Sequence, residues 1–206
     1  MSSPAFADFG LSEYEKRVRD HGLLAAIAFL VIIPVGVLIP RYLRTFTNRW
    51  FWGHAITNFL ISGPLVFAAW AMGSKANDLT DAPMDHHKRI GYVIFGLYIG
   101  QVVLGTFIHY VHIPFPFPGH RPPQNYIHAL LGIVILAMAN YQVHHGIYVE
   151  WPLMTGDIHL VKQSAKHAWL ALVIVFWSLY VIGLVFLPRQ YTQEREGRSA
   201  IDKEGS

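Results

Sequence analysis

Long uncharged apolar runs alternate with short polar connections along the whole chain, and the runs set the architecture. Residues 22–40, 50–73, 90–115, 126–149 and 167–187 are each apolar and long enough to cross a hydrocarbon core of about 30 Å. Backbone in lipid must satisfy its own hydrogen bonds, so the pattern predicts five transmembrane helices and an all-α membrane protein. The longest connections are residues 74–89 and 150–166, and a proline-rich turn occupies 114–123. None of these leaves room for a large soluble domain. Residues 1–20 are polar and carry no run of the length a cleavable signal peptide needs. Residues 188–206 are charged and predict a disordered tail. The expected organisation is a polar segment over 1–20, a membrane domain over 21–187 and a tail over 188–206. Pro34 and Pro64 fall inside predicted helices, where proline removes a hydrogen bond and predicts a kink.

Composition agrees with the pattern. Of the 206 residues, 53% are apolar and 14% charged, where soluble domains carry about 25% charged residues. The absence of cysteine excludes a disulfide framework, thiolate zinc sites, iron–sulfur clusters and c-type haem attachment. A net charge of +3 is too small to argue for nucleic acid as a partner. Five antiparallel crossings define two faces. Face A holds the N-terminus and residues 74–89 and 150–166; face B holds 41–49, 114–125 and the C-terminal tail. Each face carries eight Lys/Arg, so the positive-inside count is a tie. Arg41, Arg44 and Arg49 share one very short loop, where the rule reads best, and they make face B the expected cytoplasmic side. The N-terminus is then extracytoplasmic.

Twelve histidines in so apolar a chain change the picture from anchor to chemistry. His21 opens the first span and His87 the third, both at face A. His54 lies about a turn into the second span and His128 opens the fourth, both at face B. One histidine per helix, alternating in face, predicts the pairs His21/His87 and His54/His128 at two depths. A polar side chain inside a membrane is costly and marks function more often than it does in water. Two imidazoles from facing helices, above and below a flat macrocycle, are what a low-spin b-type haem requires. The expectation is therefore a four-helix antiparallel core holding two haem b groups. Against it stands the ordinary behaviour of a histidine at a helix end, which is interfacial, hydrogen-bonded and inert.

The third and fourth spans contain an inverted repeat. His87, Gly91, Gln101 and Gly105 have the same spacing as His128, Gly132, Gln142 and Gly146. At about 100° per residue, offsets of 4, 14 and 18 fall within about 40° of the histidine, so each set forms one stripe. Each helix thus offers a histidine to one site and, about 27 Å further along, a glycine near the other. Gly105 and Gly146 are expected to clear space for a porphyrin, the competing reading being close helix packing. Gln101 and Gln142 are expected inside the bundle as hydrogen-bonding groups. Gly96 and Gly100 form a G-x-x-x-G on the opposite side of the third span, suited to packing on the fifth span or on a second copy in a homodimer.

The pieces His21-Gly22, Pro34-x-Gly36 with Arg41-Tyr42, Trp50-Phe51-x2-His54, His87-x3-Gly91 with Gln101 and Gly105, and Arg121-Pro122-x2-Asn125-x2-His128 together resemble the cytochrome b561 transmembrane domain. The likeness is to the version that accompanies DOMON domains in fungi and plants, and it covers roughly residues 18–150. The resemblance implies two non-covalent b haems and transmembrane electron transfer. The donor it implies is cytosolic ascorbate, and the acceptor outside is monodehydroascorbate or a ferric chelate. The implied membrane is a plasma membrane or endomembrane. The chain departs from the family in showing five helices where six are common, in carrying no DOMON domain, and in lacking a match for the ascorbate-binding lysine. An extracytoplasmic DOMON or dehydrogenase partner would then be a separate chain.

Arg41 and Arg121 on face B are candidates for haem propionates or an anionic donor, against interfacial anchoring. His86 competes with His87, although the x3-Gly91 spacing favours His87. His144 and His145 are alternative face A ligands or a metal site; His109–His112 resembles half of one. The leading function is a dihaem transmembrane oxidoreductase. The alternative is a non-enzymatic dihaem relay for a soluble dehydrogenase or DOMON partner. A haem-free transporter would need polar sites at the midplane, and a di-iron hydroxylase would need its histidines on one face.

Overall fold

The structure, a computed structural model, describes residues 10–80, 82–111 and 122–204. Among them there are helices, turns and no strand. Five helices are long and apolar enough to cross a membrane: α1 (Glu13–Leu43), α2 (Trp50–Asn77), α3 (His86–Tyr110), α4 (Pro123–Thr155) and α5 (Gln163–Glu196). The protein is an all-α membrane protein, as the apolar runs predict. At the starts of α1 and α3 the helix extends beyond its apolar run into polar residues that cap it. Ser12 and Glu15 form a capping box at the start of α1, with Ser12 N–H donating to Glu15 Oε2 at 2.7 Å. Asp85 caps α3, accepting from Lys88 N–H at 2.8 Å.

Wider turns accompany the prolines. Among the described residues three π-helical stretches occur, at Ala28–Ile32, Ile56–Ile61 and Gly146–Glu150, and each ends shortly before a proline: Pro34, Pro64 and Pro152. A proline ring clashes with the carbonyl four residues earlier and donates nothing to it. A wider turn ahead of the proline moves that carbonyl aside, and such turns are frequent at functional sites.

The core draws on all five helices. Ala28, Phe29 and Ile33 of α1 meet Val66 of α2, Ile94 and Tyr98 of α3, Ile135, Leu136 and Ala139 of α4, and Phe176 of α5. Helices α1 and α2 pair along their length, as do α3 and α4, and α5 lies against α1 and α4. Outward faces stay apolar, with Leu60, Val103, Leu130 and Val185 exposed, as suits contact with lipid tails.

Two expectations are corrected. The segment after Pro188 is helical, continuing from Leu187 to Glu204. It is held because α1 gives it polar partners: Gln190 Nε2 donates to Arg41 O at 2.9 Å, and Arg44 pairs with Glu194 at 2.6 Å. Glu194→Ala removes that ion pair, worth up to about 1 kcal/mol where partly exposed. Limited proteolysis is expected to cut the C-terminal segment several-fold faster in this variant. The other correction concerns Gly96 and Gly100: a Cβ on either would meet nothing within 4 Å, which removes α5, though not a second copy, as their expected partner.

Candidate functional site

The four histidines meet in the two pairs expected. His21 of α1 faces His87 of α3 with ring centroids 6.2 Å apart and planes at 74°. His54 of α2 faces His128 of α4 at 6.2 Å and 71°. The first histidine of each pair has the same kind of partner. His21 Nδ1 lies 2.7 Å from Ala69 O of α2, and His54 Nδ1 lies 2.8 Å from Gly36 O of α1. Each helix thus orients its own histidine with a carbonyl of the other. Nδ1–H donating to a carbonyl fixes the tautomer and leaves Nε2 with its lone pair, ready to act as a ligand.

The inverted repeat of α3 and α4 meets itself in antiparallel register. His87 lies against Gly146, Gly91 against Gln142, Gln101 against Gly132 and Gly105 against His128; the residue numbers of every pair add to the same total. Gln101 Nε2 donates to His128 O at 2.8 Å, and Gln142 Nε2 donates to His87 O at 2.6 Å. The glycines make this approach feasible. A Cβ on Gly105 would come within 2.9 Å of His128 Cε1, and one on Gly132 within 3.0 Å of Gln101 Nε2. On α1 and α2, a Cβ on Gly73 would come within 2.9 Å of His21 Nδ1, and one on Gly36 would overlap the Asn58 amide. What these glycines clear in the structure is a side chain of the facing helix. Gln142→Leu is expected to cost about 0.6–1.7 kcal/mol, the range for hydrogen bonds between membrane helices, measured by denaturant unfolding in detergent.

A cavity of about 240 Å³ opens beside the first pair, lined by His21, Ala25, Ala69, Gly73, His87 and Gln142 among others. Near it His87, His145 and Glu150 bring one ligand-type atom each within 4.8 Å of the others. His145 Nδ1 lies 3.3 Å from Glu150 Oε1, near enough for an ion pair without the alignment of a hydrogen bond, and His87 Nδ1 is buried with no hydrogen-bond partner. Spacing alone did not bring Glu150 into this group; the π turn at Gly146–Glu150 does.

The remaining candidates have other partners. Arg41 donates to Tyr180 Oη at 2.6 Å and lies over that ring, so its guanidinium is engaged with α5, as an anchoring residue would be. Arg121 and His112 lie outside the described residues. His86 is turned to Tyr141, 3.5 Å from its hydroxyl; His87 is the one that faces His21. His144 stacks on Tyr148 and His109 on Phe51.

No family model matches the chain, and no solved structure matches it. It is 28% identical over 181 residues to a cytochrome b561 and DOMON domain-containing protein of Arabidopsis thaliana, covering 85% of this chain and 40% of that protein. A second protein of that description from the same plant is 28% identical, over 69% of this chain and 34% of its own length. A third is 30% identical, over 45% and 24% respectively. The chain therefore spans less than half the length of these relatives. With its five membrane-crossing helices and four facing histidines, the chain is related to the cytochrome b561 family.

Proposed function

We propose that the chain is a dihaem transmembrane oxidoreductase, with His21/His87 holding one haem b near face A and His54/His128 holding another near face B. The observation that carries this reading is the pair of equal 6.2 Å ring separations. A metal ion held between two imidazoles, at the metal–nitrogen distances of about 2.0–2.1 Å usual for histidine ligands, would need ring centres at roughly this separation. The donor set fits the group: paired neutral imidazoles on opposed helices, Nδ1–H bonded to carbonyls at His21 and His54, and a cavity beside the face A pair. Haem b supplies a one-electron iron couple when bound. The protein's part is to fix ligand tautomer and ring direction through Ala69 O and Gly36 O, and to keep water from the buried centre. It also sets the two sites apart by 18 residues of α3, about 27 Å of helical rise, so that each is near one face. Relatives named for cytochrome b561 support haem-based electron transfer.

Ascorbate on the cytoplasmic side is the proposed donor, with face B cytoplasmic, and monodehydroascorbate or a ferric chelate the proposed acceptor. The DOMON domains in the relatives' names support the alternative of a relay served by an extracytoplasmic DOMON domain. Purified protein mixed with ascorbate separates the two: reduction without any partner supports the oxidoreductase, and reduction by dithionite alone supports the relay.

The group His87, His145 and Glu150 favours a second reading, a non-haem cation held by two imidazoles and a carboxylate at face A. Since His87 belongs to both, metal analysis decides between them. Iron in haem at two per chain supports the first reading. A single haem with one equivalent of zinc or another first-row ion supports the second.

A further inference from the structure

The two sites differ beside the histidines of α1 and α2. Four residues after His21 stands Ala25, which offers no polar group; four residues after His54 stands Asn58. The Asn58 amide nitrogen lies 3.0 Å from His54 Nδ1, and that same ring nitrogen is 2.8 Å from Gly36 O. A ring nitrogen carries either one hydrogen or one lone pair. If Nδ1 carries hydrogen, Gly36 O accepts it and an NH2 group facing the same atom is repelled. If Nδ1 carries the lone pair, the carbonyl is repelled instead. A half-turn of the amide exchanges its nitrogen and oxygen, which have nearly the same shape. Oδ1 then shares the Nδ1 hydrogen with Gly36 O, and both contacts become favourable. The turn also gives a partner to Oδ1, which is otherwise buried without one, while the NH2 group takes the place that Oδ1 leaves.

Asn58 is well held for this purpose. It lies in the π turn Ile56–Ile61, where the Ser62 N–H bonds to Thr57 O and Phe59 O and so leaves Asn58 O free of its usual helical donor. That carbonyl instead accepts from Ser62 Oγ at 2.7 Å and Tyr98 Oη at 2.9 Å. On the other side, the missing Cβ of Gly36 is the space the amide fills.

We propose that Asn58 is a positioning residue that gives the His54 Nδ1–H a second acceptor and thereby holds the midpoint potential of the His54/His128 haem below the value it has without that acceptor. The inference rests on the dihaem reading. An acceptor on Nδ1–H makes the imidazole a stronger donor through Nε2 and favours the oxidised iron. Ala25 supplies no such contact to His21, so the effect belongs to one site.

Redox titration of the purified full-length protein, followed by absorbance, tests this with two variants. Asn58→Leu removes the acceptor and is expected to move one of the two midpoints to a more positive potential. Asn58→Asp keeps the oxygen and adds charge, and is expected to move that same midpoint to a more negative one. In a His87→Ala background, which retains the His54/His128 pair, the single remaining midpoint is expected to follow the same order. The proposal is overturned if both midpoints shift together, if neither shifts, or if Leu and Asp act in one direction. Should Asn58→Leu not bind haem, Asn58→Asp alone decides, an unchanged or more positive midpoint overturning the proposal. A wild-type protein without haem would instead overturn the dihaem reading, and is distinguished at the first spectrum.

Discussion

On the proposed dihaem reading, His87→Ala is expected to leave one haem per chain in place of two, and to abolish electron transfer between the faces. His21 and His87 are the two imidazoles at face A whose rings lie 6.2 Å apart, so removing one would leave the proposed haem there with one imidazole of the pair. The other pair has no shared ligand with it and stays intact. His86→Ala is the matched control. His86 is the sequence neighbour, but its ring is turned to Tyr141, and its loss is expected to leave haem content and the reduced spectrum unchanged. Haem quantified against protein, with reduction kinetics in vesicles, reads both variants. Equal losses in His86→Ala and His87→Ala would mean that the histidine cluster acts as a whole.

The second large effect is expected at Gly105. A Cβ there would stand 2.9 Å from His128 Cε1, whereas one on Gly146 would stand 3.6 Å from His87 Cε1. The first distance is below what real Cβ contacts show, and the second is ordinary van der Waals contact. Gly105→Ala must therefore push the His128 ring or separate α3 from α4, at about 1–3 kcal/mol for an overpacked interior. It is expected to lower occupancy of the haem proposed at face B and the unfolding midpoint in detergent. Gly146→Ala, at the equivalent place in the repeat, is expected to be tolerated with both haems in place. Similar losses for both would contradict the register in which α3 and α4 meet.

Much of this arrangement is legible in the residues because membrane chemistry leaves few choices. Charge and apolar run length mark the five spans, and antiparallel crossing then assigns each histidine a face and depth. The stripe of His87, Gly91, Gln101 and Gly105 is also readable, since helical periodicity alone puts those residues on one side. Its purpose is less so. A glycine aligned with a histidine is equally consistent with clearance for a cofactor and with close packing, and only the antiparallel register reveals the opposing imidazole and amide. Backbone acceptors such as Ala69 O and Gly36 O have no signature in side-chain type, so the orientation of His21 and His54 is invisible beforehand.

Other features had a signal that composition concealed. A proline within a helix implies a displaced carbonyl, and a wider turn provides it before Pro34, Pro64 and Pro152; Pro40 lies within α1 with no π stretch before it, so proline alone does not mark where one forms. The charged segment after Pro188 reads as unfolded by its composition. Its helix depends on partners at the end of α1, notably Arg44 for Glu194 and the carbonyl of Arg41 for Gln190, which lie roughly 150 residues earlier. Long-range pairing of that kind is a property of the fold.

The most direct test of the account is haem content per chain, measured on protein purified in detergent, with spectra recorded oxidised, after ascorbate and after dithionite. The account predicts two haem b per chain, both low-spin, with ascorbate reducing at least one. A protein purified from haem-replete cells with no Soret absorbance would contradict it and leave His21, His54, His87 and His128 as packing and hydrogen-bonding residues.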